Sequence, residues 1–216
     1  MHVVVVSGGD LQLGAHLRAI VDSAKLVICA DGGAANLLPF GVVPKVLIGD
    51  LDSTPDETRR QLEDLGCEII VYPRDKDASD TELAVQEALL RGATRLSILG
   101  ALGGGRFDHA LANVFLLTLP PVEHVDARIL TEELEITLVR RRTEFHGEVG
   151  DIVSLLPLTS LVTGVTTDGL EYALAGDTLR QGTTHGLSNV LVEPDGWVEV
   201  ESGLMLAIRQ SRRTAL

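Results

Sequence analysis

Short apolar runs alternate with amphipathic stretches along the first half of the chain. Val3–Val6, Leu26–Cys29 and Val46–Ile48 are aliphatic runs that are soon followed by glycine or aspartate, and this pattern predicts short buried strands. Between the first two runs, apolar residues recur at helical spacing over Leu11–Ala24. Strands that alternate with helices predict an α/β unit with a mostly parallel sheet and helices on both faces.

The same alternation continues to about residue 115. It predicts, in order, helix 34–38, helix 55–65, strand 68–72, helix 80–91, strand 96–99 and a further helix that begins near Arg106. The apolar residues of this last helix lie at helical spacing and are expected to be buried: Phe107, Ala110, Leu111, Val114 and Phe115.

The second half of the chain has a different pattern of apolar residues. From about Arg128 helical periodicity is weak, and short β-type runs are separated by many glycines; the runs are Ile136–Val139, Ile152–Leu156, Asn189–Val192 and Trp197–Val200. Many short strands with glycine turns predict a small all-β sandwich or barrel. We therefore expect an α/β domain over residues 1–126 and a β-sandwich domain over residues 127–216. The basic tail, residues 209–213, is interpreted as a frayed end.

Composition restricts the class of function. The 216 residues include 18 basic and 31 acidic ones, a net charge of −13, which argues against binding to nucleic acid or to an anionic membrane surface. Cys29 and Cys67 have no metal-site spacing, which fits a reducing compartment. Neither a long apolar span nor signal-peptide features at the start are present, so we expect a cytoplasmic protein.

The segment Ile48–Ser53 ends a buried strand in a glycine and two aspartates. Alternate residues on an extended segment point the same way, so Asp50 and Asp52 are expected to face one point. Two carboxylates held close together favour a divalent cation between them, although solvated turn aspartates are the plain alternative. Thr54 and Glu57 are expected to form a capping box for the next helix.

Other predicted strand ends are also polar or rich in glycine. They are Ser7-Gly8-Gly9-Asp10, Asp31-Gly32-Gly33, residues 73–80 and Gly100–Asp108. Because parallel strands end at one edge of the sheet, these turns are expected to converge and to suit phosphate binding. The chain contains neither the P-loop motif nor the dinucleotide fingerprint.

The run from Asp75 to Glu82 contains more acid than capping requires. Ser79 and Glu82 form a capping box that also explains Asp80 at the helix start. Asp75, Lys76 and Asp77 are left unexplained, and such clusters at a cleft favour a functional site. Farther along, Arg106 could hold a phosphate, while His109 reads equally well as a surface histidine or as a site residue.

Taken in order, these motifs resemble the thiamine pyrophosphokinase family. The matching segments are Asp31–Ala34, Gly49–Ser53, Asp75–Glu82, Gly100–His109, Gly169–Tyr172 and Gly186–Asn189. The resemblance implies an enzyme that transfers the diphosphoryl group of ATP to the hydroxyl of thiamine, giving thiamine diphosphate and AMP. It also implies Mg²⁺ as the cofactor and a homodimer with the thiamine site between subunits.

The resemblance also implies roles for single residues. Asp50, Asp52 and Asp80 would hold Mg²⁺ and, with Asp77, form the catalytic set. Contacts to ATP would come from Asp31, Gly32, Lys76, Ser79, Arg106, Asp108 and His109. Ser188 and Asn189 would belong to the thiamine pocket.

Two alternatives stay open at this point. One is a pyrophosphokinase that acts on a pterin alcohol, against which the motifs of the second half argue. The other is a non-catalytic nucleotide or thiamine sensor, from which we would expect some of the metal-binding carboxylates to be missing.

Overall fold

A computed structural model describes residues 1–212 of the chain. Residues 213–216, which include the end of the predicted basic tail and of the predicted second domain, lie outside the described residues. The chain divides into two compact units, one formed by Met1–Glu132 and one that begins at Glu133.

Strands and helices alternate throughout the first unit. In chain order they are β1 (His2–Val6), α1 (Ala15–Ser23), β2 (Leu26–Ala30), α2 (Gly33–Leu37), β3 (Val46–Gly49), α3 (Asp56–Asp64), β4 (Glu68–Val71), α4 (Asp80–Leu90), β5 (Arg95–Leu99), α5 (Phe107–Phe115) and β6 (Asp126–Leu130). Short 3-10 turns follow α2 and α5, at Leu38–Phe40, Leu116–Thr118 and Pro120–Val122. The strands form a sheet in the order β6-β5-β1-β2-β3-β4, in which every neighbouring pair is parallel.

Helices cover both faces of this sheet. Val4 and Val6 belong to a buried cluster with residues of α1, α2 and α3, such as Leu17 and Leu62. The alternate residues of β1 are equally buried but lie outside that cluster, as a period of two requires. Helix α4 packs on β1, β2 and β3 with its own set of buried residues. Burial on both faces explains why these strands are continuous apolar runs.

Strand β6 belongs to the first unit. It pairs in parallel with β5, with Asp126 opposite Arg95. The chain passes from the first unit to the second after Glu132, whereas the sequence places the boundary between residues 126 and 127, at the start of this strand.

The apolar residues of α5 are exposed where the sequence predicted them to be buried. Phe107 is 79% exposed, and Leu111 and Phe115 are also exposed, while Val114 is buried. The expectation of a buried stripe was therefore wrong for three residues that share one face of the helix at i, i+4 and i+8. A periodic apolar pattern shows that a helix has an apolar face, but it does not show what covers that face.

The second unit is all-β over the residues that the structure describes. Its strands are β7 (Leu134–Val139), β8 (Arg142–His146), β9 (Ile152–Pro157), β10 (Leu161–Asp168), β11 (Ala175–Arg180), β12 (Asn189–Val190), β13 (Asp195–Glu199) and β14 (Met205–Gln210). They form two antiparallel sets, in the orders β12-β9-β14-β7 and β11-β10-β13-β8. Both sets contribute to one buried cluster, for example Val153 and Met205 from the first and Val162 and Val198 from the second. The predicted fold class, an α/β unit followed by a β-sandwich, is confirmed.

Residues 209 and 210 of the predicted basic tail are not frayed, because they belong to β14. Arg209 lies in β14 and makes ion pairs with Asp151 at 2.9 Å and Glu135 at 3.1 Å. The interpretation of residue 209 as part of a loose end was wrong, because the strand continues through it. Among residues 1–212, no helix is long and apolar enough to cross a membrane.

Candidate functional site

A cleft of about 550 Å³ opens at the carboxyl ends of the parallel strands in the first unit. Its lining comes from the turns that follow β1, β2, β3, β4 and β5, together with residues of α5. The strand ends converge as the sequence predicted, because parallel strands all point the same way along the sheet. Polar and glycine residues dominate this lining.

Glycine is required where two of these turns touch. The backbone N–H of Gly9 donates to Gly100 O at 2.9 Å, and a Cβ on Gly9 would lie 2.5 Å from that same oxygen. Gly100 has a φ of +63°, and a Cβ there would lie 2.5 Å from Ser7 O. Side chains at these positions would separate the β1 and β5 turns, so the close backbone packing of the cleft depends on their absence.

Three carboxylates meet at the β2 and β3 side of the cleft. Oxygens of Asp31, Asp50 and Asp52 lie within 4.8 Å of one another. Leu51 is buried with a left-handed φ of +60°, so the chain turns sharply between the two aspartates that follow β3. The explanation from an extended segment was therefore wrong, although the predicted convergence of Asp50 and Asp52 is observed. We call Asp31, Asp50 and Asp52 the acidic triad.

Asp31 is held in place by its neighbours. Its backbone N–H donates to Ile48 O at 2.8 Å, and Thr54 Oγ1 donates to Asp31 Oδ1 at 3.1 Å. Thr54 is buried. The predicted capping box was wrong, because α3 begins at Asp56 with Pro55 as its N-cap residue and without a side-chain cap. Thr54 instead orients a carboxylate of the triad.

Lys76 lies between two carboxylates. Its Nζ is 3.3 Å from Asp50 Oδ2 and 3.1 Å from Asp80 Oδ1. Burial alone would lower the pKa of Lys76, but the contacts with Asp80 and Asp50 outweigh it and raise that pKa. The two acids shift in opposite directions because their surroundings differ. The backbone N–H of Asp52, followed by Lys76, lowers the pKa of Asp50, whereas burial raises the pKa of Asp80 despite Lys76.

The mouth of the cleft carries an exposed ion pair. Arg106 donates to both carboxylate oxygens of Asp108, at 2.9 and 2.7 Å. This contact holds the pKa of Asp108 well below its usual range. Arg106 and the exposed His109 line the cleft, whereas Asp108 does not. Asp108 therefore positions the guanidinium, and the forked geometry suits a phosphate as a further partner.

In the second unit, Ser188 and Asn189 have different surroundings. Asn189 is buried, accepts from the backbone N–H groups of Tyr172 and Val190 at 3.0 and 2.9 Å, and donates to Tyr172 O at 2.7 Å. Its side chain thus fastens the Tyr172 segment to β12. Ser188 is exposed, with a left-handed φ of +58°, and its N–H donates to Ser154 Oγ at 3.1 Å. Ser188 and Tyr172 are the solvent-facing members of this group.

Comparisons with known proteins agree with both units. Residues 17–129 match the family model "Thiamin pyrophosphokinase, catalytic domain", and residues 135–205 match "Thiamin pyrophosphokinase, vitamin B1 binding domain". The chain belongs to the thiamine pyrophosphokinase family. The thiamine pyrophosphokinase of Bacillus subtilis is 29% identical over 96% of this chain and 97% of its own length. Thiamine pyrophosphokinase 1 of Arabidopsis thaliana is 32% identical over 87% and 79% of the two chains.

The fold of the family is also found in solved structures. A crystal structure of thiamine pyrophosphokinase from Bacillus subtilis superposes with a TM-score of 0.87 at 27% identity, covering 98% of this chain and all of that one. The alternation of strands and helices, the glycine turns and the β-sandwich are therefore features of a known family fold.

Most residues that the family resemblance assigned to ATP or metal line the cleft. They are Asp31, Gly32, Asp50, Asp52, Lys76, Ser79, Asp80, Arg106 and His109. Ser79 also caps α4 as predicted, since its hydroxyl accepts from the N–H of Glu82 at 3.2 Å. Asp77 is exposed and is not part of the cleft lining. Its catalytic assignment stays a prediction.

Two side-chain contacts that shape the cleft were not predicted from the sequence. Asn36 Nδ2 donates to the carbonyls of Ser7 and Gly9 at 3.2 and 2.8 Å. Asp10 Oδ2 accepts from the N–H of Gly104 at 3.0 Å. These contacts brace the turns after β1 and β5, but a single polar residue forms no motif that could have revealed its partner.

The donor set of the acidic triad fits a hard divalent cation. Such ions take carboxylate oxygens as ligands, and three carboxylates this close repel one another in the absence of positive charge. The cluster contains Asp31 together with Asp50 and Asp52, whereas the metal set implied by the resemblance contains Asp80 in place of Asp31. Asp80 is paired with Lys76.

Proposed function

We propose that this chain is a thiamine diphosphokinase, which transfers the diphosphoryl group of ATP to the hydroxyl of thiamine and releases AMP. The observation that carries the proposal is the acidic triad in a glycine-lined cleft of a chain that belongs to this family. Attack of a hydroxyl on a polyphosphate needs positive charge and in-line positioning more than a strong base. The acidic triad can hold a cation, and the glycine turns let the backbone approach and position the phosphates.

Mg²⁺ is the proposed cofactor. Asp31, Asp50 and Asp52 would hold it, and it would neutralise charge on the phosphates during transfer. Lys76 and Arg106 provide two further positive groups in the cleft lining. We assign Lys76 to the phosphates nearest the triad and Arg106, held by Asp108, to those at the mouth of the cleft. Backbone N–H groups of the glycine turns would complete the anion site.

Thiamine is the proposed acceptor, and we place Ser188 in its pocket. Ser188 and Tyr172 are exposed on two segments that the hydrogen bonds of the Asn189 side chain hold together. Thiamine is a cation, and a net charge of −13 suits it. The match of residues 135–205 to a vitamin B1 binding domain supports thiamine over a pterin alcohol. The intact acidic triad supports an enzyme over a sensor.

We also propose that the chain acts as a homodimer in the cytoplasm, with the thiamine site between subunits. The exposed face of α5 supports an interface between copies, because it presents Phe107, Leu111 and Phe115 to solvent. The thiols of Cys29 and Cys67 are free, which supports a reducing compartment.

Analytical ultracentrifugation of Leu111→Glu tests the interface. We expect the variant to be monomeric at concentrations where the wild type is dimeric, because a charge would enter the apolar contact. Leu90→Glu is the matched control, since Leu90 is an 82% exposed leucine on a different helix, and it should leave the dimer intact. If Leu111→Glu dimerised with the same affinity as the wild type, the proposal that α5 forms the interface would be wrong.

The reaction itself is tested by measuring AMP release from Mg-ATP with and without thiamine. We expect AMP and thiamine diphosphate in equal amounts, and neither in the absence of thiamine. Release of ADP would point to a simple kinase. Thiamine binding without turnover would favour a sensor, and turnover with a pterin alcohol in place of thiamine would favour the other pyrophosphokinase.

A further inference from the structure

Lys76 occupies the position of a counter-ion in the cleft. Its ammonium contacts Asp50 and Asp80 at 3.3 and 3.1 Å, and the three side chains are only 13%, 15% and 24% exposed respectively. In residues 1–212, no other Lys, Arg or His lies within ion-pair distance of either carboxylate. The ammonium is therefore the one direct ion-pair partner that these two acids share, and it balances one of their two negative charges.

Asp50 is shared between two groups of charges. It belongs to the acidic triad with Asp31 and Asp52, and it is also one of the two acids that contact Lys76. A divalent cation held by the triad would therefore lie close to the ammonium. Two positive charges a few ångströms apart in a partly buried cleft repel each other strongly. The carboxylate of Asp50 therefore cannot bind the divalent cation and keep its full interaction with the Lys76 ammonium at the same time.

We propose that Lys76 is an exchangeable internal counter-ion, which leaves Asp50 when a divalent cation enters with a nucleotide and then pairs with the phosphates. A lysine suits this exchange because its flexible stem lets the ammonium move between partners. The inference rests on the proposed function and deepens it, since it explains how one site accepts a metal and a polyanion together.

The exchange makes metal and nucleotide binding mutually dependent. Without nucleotide, a metal ion must displace an ammonium that is then left with Asp80 as its one ion-pair partner among residues 1–212. With nucleotide, the displaced ammonium gains a phosphate partner. By linkage, each ligand then increases the affinity for the other by the same factor. Free divalent cation should bind weakly, and the metal–nucleotide complex tightly.

Mn²⁺ binding to the full-length chain, followed by electron paramagnetic resonance, tests this exchange. Titrations are made with and without α,β-methylene-ATP. This analogue cannot be cleaved between its α- and β-phosphorus atoms, where the proposed reaction breaks ATP. We expect Lys76→Met to bind free Mn²⁺ on the order of tenfold more tightly than the wild type, because one like-charge contact is removed. The variant should also lose most of the nucleotide-dependent gain in affinity.

Two variants serve as controls. Lys76→Arg keeps the charge and should bind free Mn²⁺ as the wild type does. Arg74→Met removes a positive charge 3.8 Å from Asp52, but Arg74 is 84% exposed, so solvent screens it and the change should stay within about twofold. If the affinity for free Mn²⁺ rose equally in Arg74→Met and Lys76→Met, the effect would come from the net charge of the cleft alone. That result would overturn the exchange.

Other outcomes are equally decisive. Equal or weaker Mn²⁺ binding in a folded Lys76→Met overturns the exchange while the proposed reaction stands, if the wild type still makes thiamine diphosphate. Absence of Mn²⁺ binding to the wild type with nucleotide overturns both the metal site and the exchange. If Lys76→Met and Lys76→Gln fail to fold without metal, added Mn²⁺ should restore their circular dichroism spectra, and failure to do so also overturns the exchange.

Discussion

Thr54 donates a hydrogen bond to Asp31 across a separation of 23 residues, at 3.1 Å. Thr54 is buried, so this bond is partly shielded from water. It fixes the rotation of the Asp31 carboxylate, which comes from a different strand end than Asp50 and Asp52. A residue that is not part of the cleft lining thus shapes the acidic triad.

Thr54→Val should weaken the triad without disturbing the fold. Loss of the bond leaves Asp31 freer to rotate, and a hydrogen bond of this kind contributes about 1 kcal/mol, or roughly fivefold in affinity. We expect Mn²⁺ affinity and kcat to fall by about that factor. Thr54→Ser keeps the hydroxyl and should retain near wild-type values. Equal losses in both variants would show that packing, not the hydroxyl, is what matters at this position.

Asp50→Asn should abolish turnover while the protein stays folded. The change removes one charge from the triad and one partner of Lys76, so metal and phosphate binding both suffer. We expect kcat to fall by about three orders of magnitude, the scale seen when charge stabilisation of a transition state is lost. Thiamine diphosphate formation is the measurement. Asp75→Asn, at an exposed acid of the neighbouring loop, should lose less than a factor of about two.

The pH dependence of stability should report on Asp50. Its pKa is lowered, first by the N–H of Asp52 and then by Lys76, so the folded state favours the charged form. The resulting stability is present above the unfolded pKa of about 4 and is lost as pH falls through the lower folded value. In urea unfolding at pH 7 to 3 with metal removed, the wild type should lose more stability than Asp50→Asn at the acidic end. Parallel curves would contradict the lowered pKa.

Asp151 should be important for the stability of the second unit. It is 4% exposed, pairs with Arg209 at 2.9 Å and accepts the backbone N–H groups of Glu148 and Arg212. Asp151→Ala leaves Arg209, whose side chain is only 16% exposed, with one fewer partner, and we expect a loss of about 3 kcal/mol in the free energy of unfolding.

The matched control for Asp151 is Asp195→Ala. Asp195 pairs with His146 at 2.7 Å, but the two side chains are 80% and 66% exposed. The expected loss is within about 0.5 kcal/mol, because exposed pairs contribute little. Chemical denaturation of both variants distinguishes burial from pairing as the source of stability. Similar losses would show that burial does not decide the contribution.

Local patterns in the sequence were enough to predict most of the elements. Strands such as β1 and β3 and the capping of α4 by Ser79 follow from spacing over a few residues. Helix α1 is shorter than predicted, because it begins only after Gly14. Elements whose residues contact their own neighbours in the chain are the ones that such patterns describe well.

The sequence predicted where the candidate site lies better than it predicted which residues form it. Asp50 and Asp52 were identified because they share one strand end. Asp31 joins them from another strand, and Thr54, expected to cap a helix, holds Asp31 instead. The burial of α5 was mispredicted for a similar reason, since Phe107 has an apolar neighbourhood only if another surface is brought to it.

The sequence by itself thus determined the fold class, the cleft at the strand ends and, through its ordered motifs, the family. Periodicity and turn chemistry act over a few residues, and the direction of parallel strands then places their ends together. Only the tertiary structure decided which carboxylates form the triad, that Lys76 lies between Asp50 and Asp80, and that Arg209 pairs with the buried Asp151. These relationships join residues from different elements, at distances that depend on packing and not on spacing along the chain.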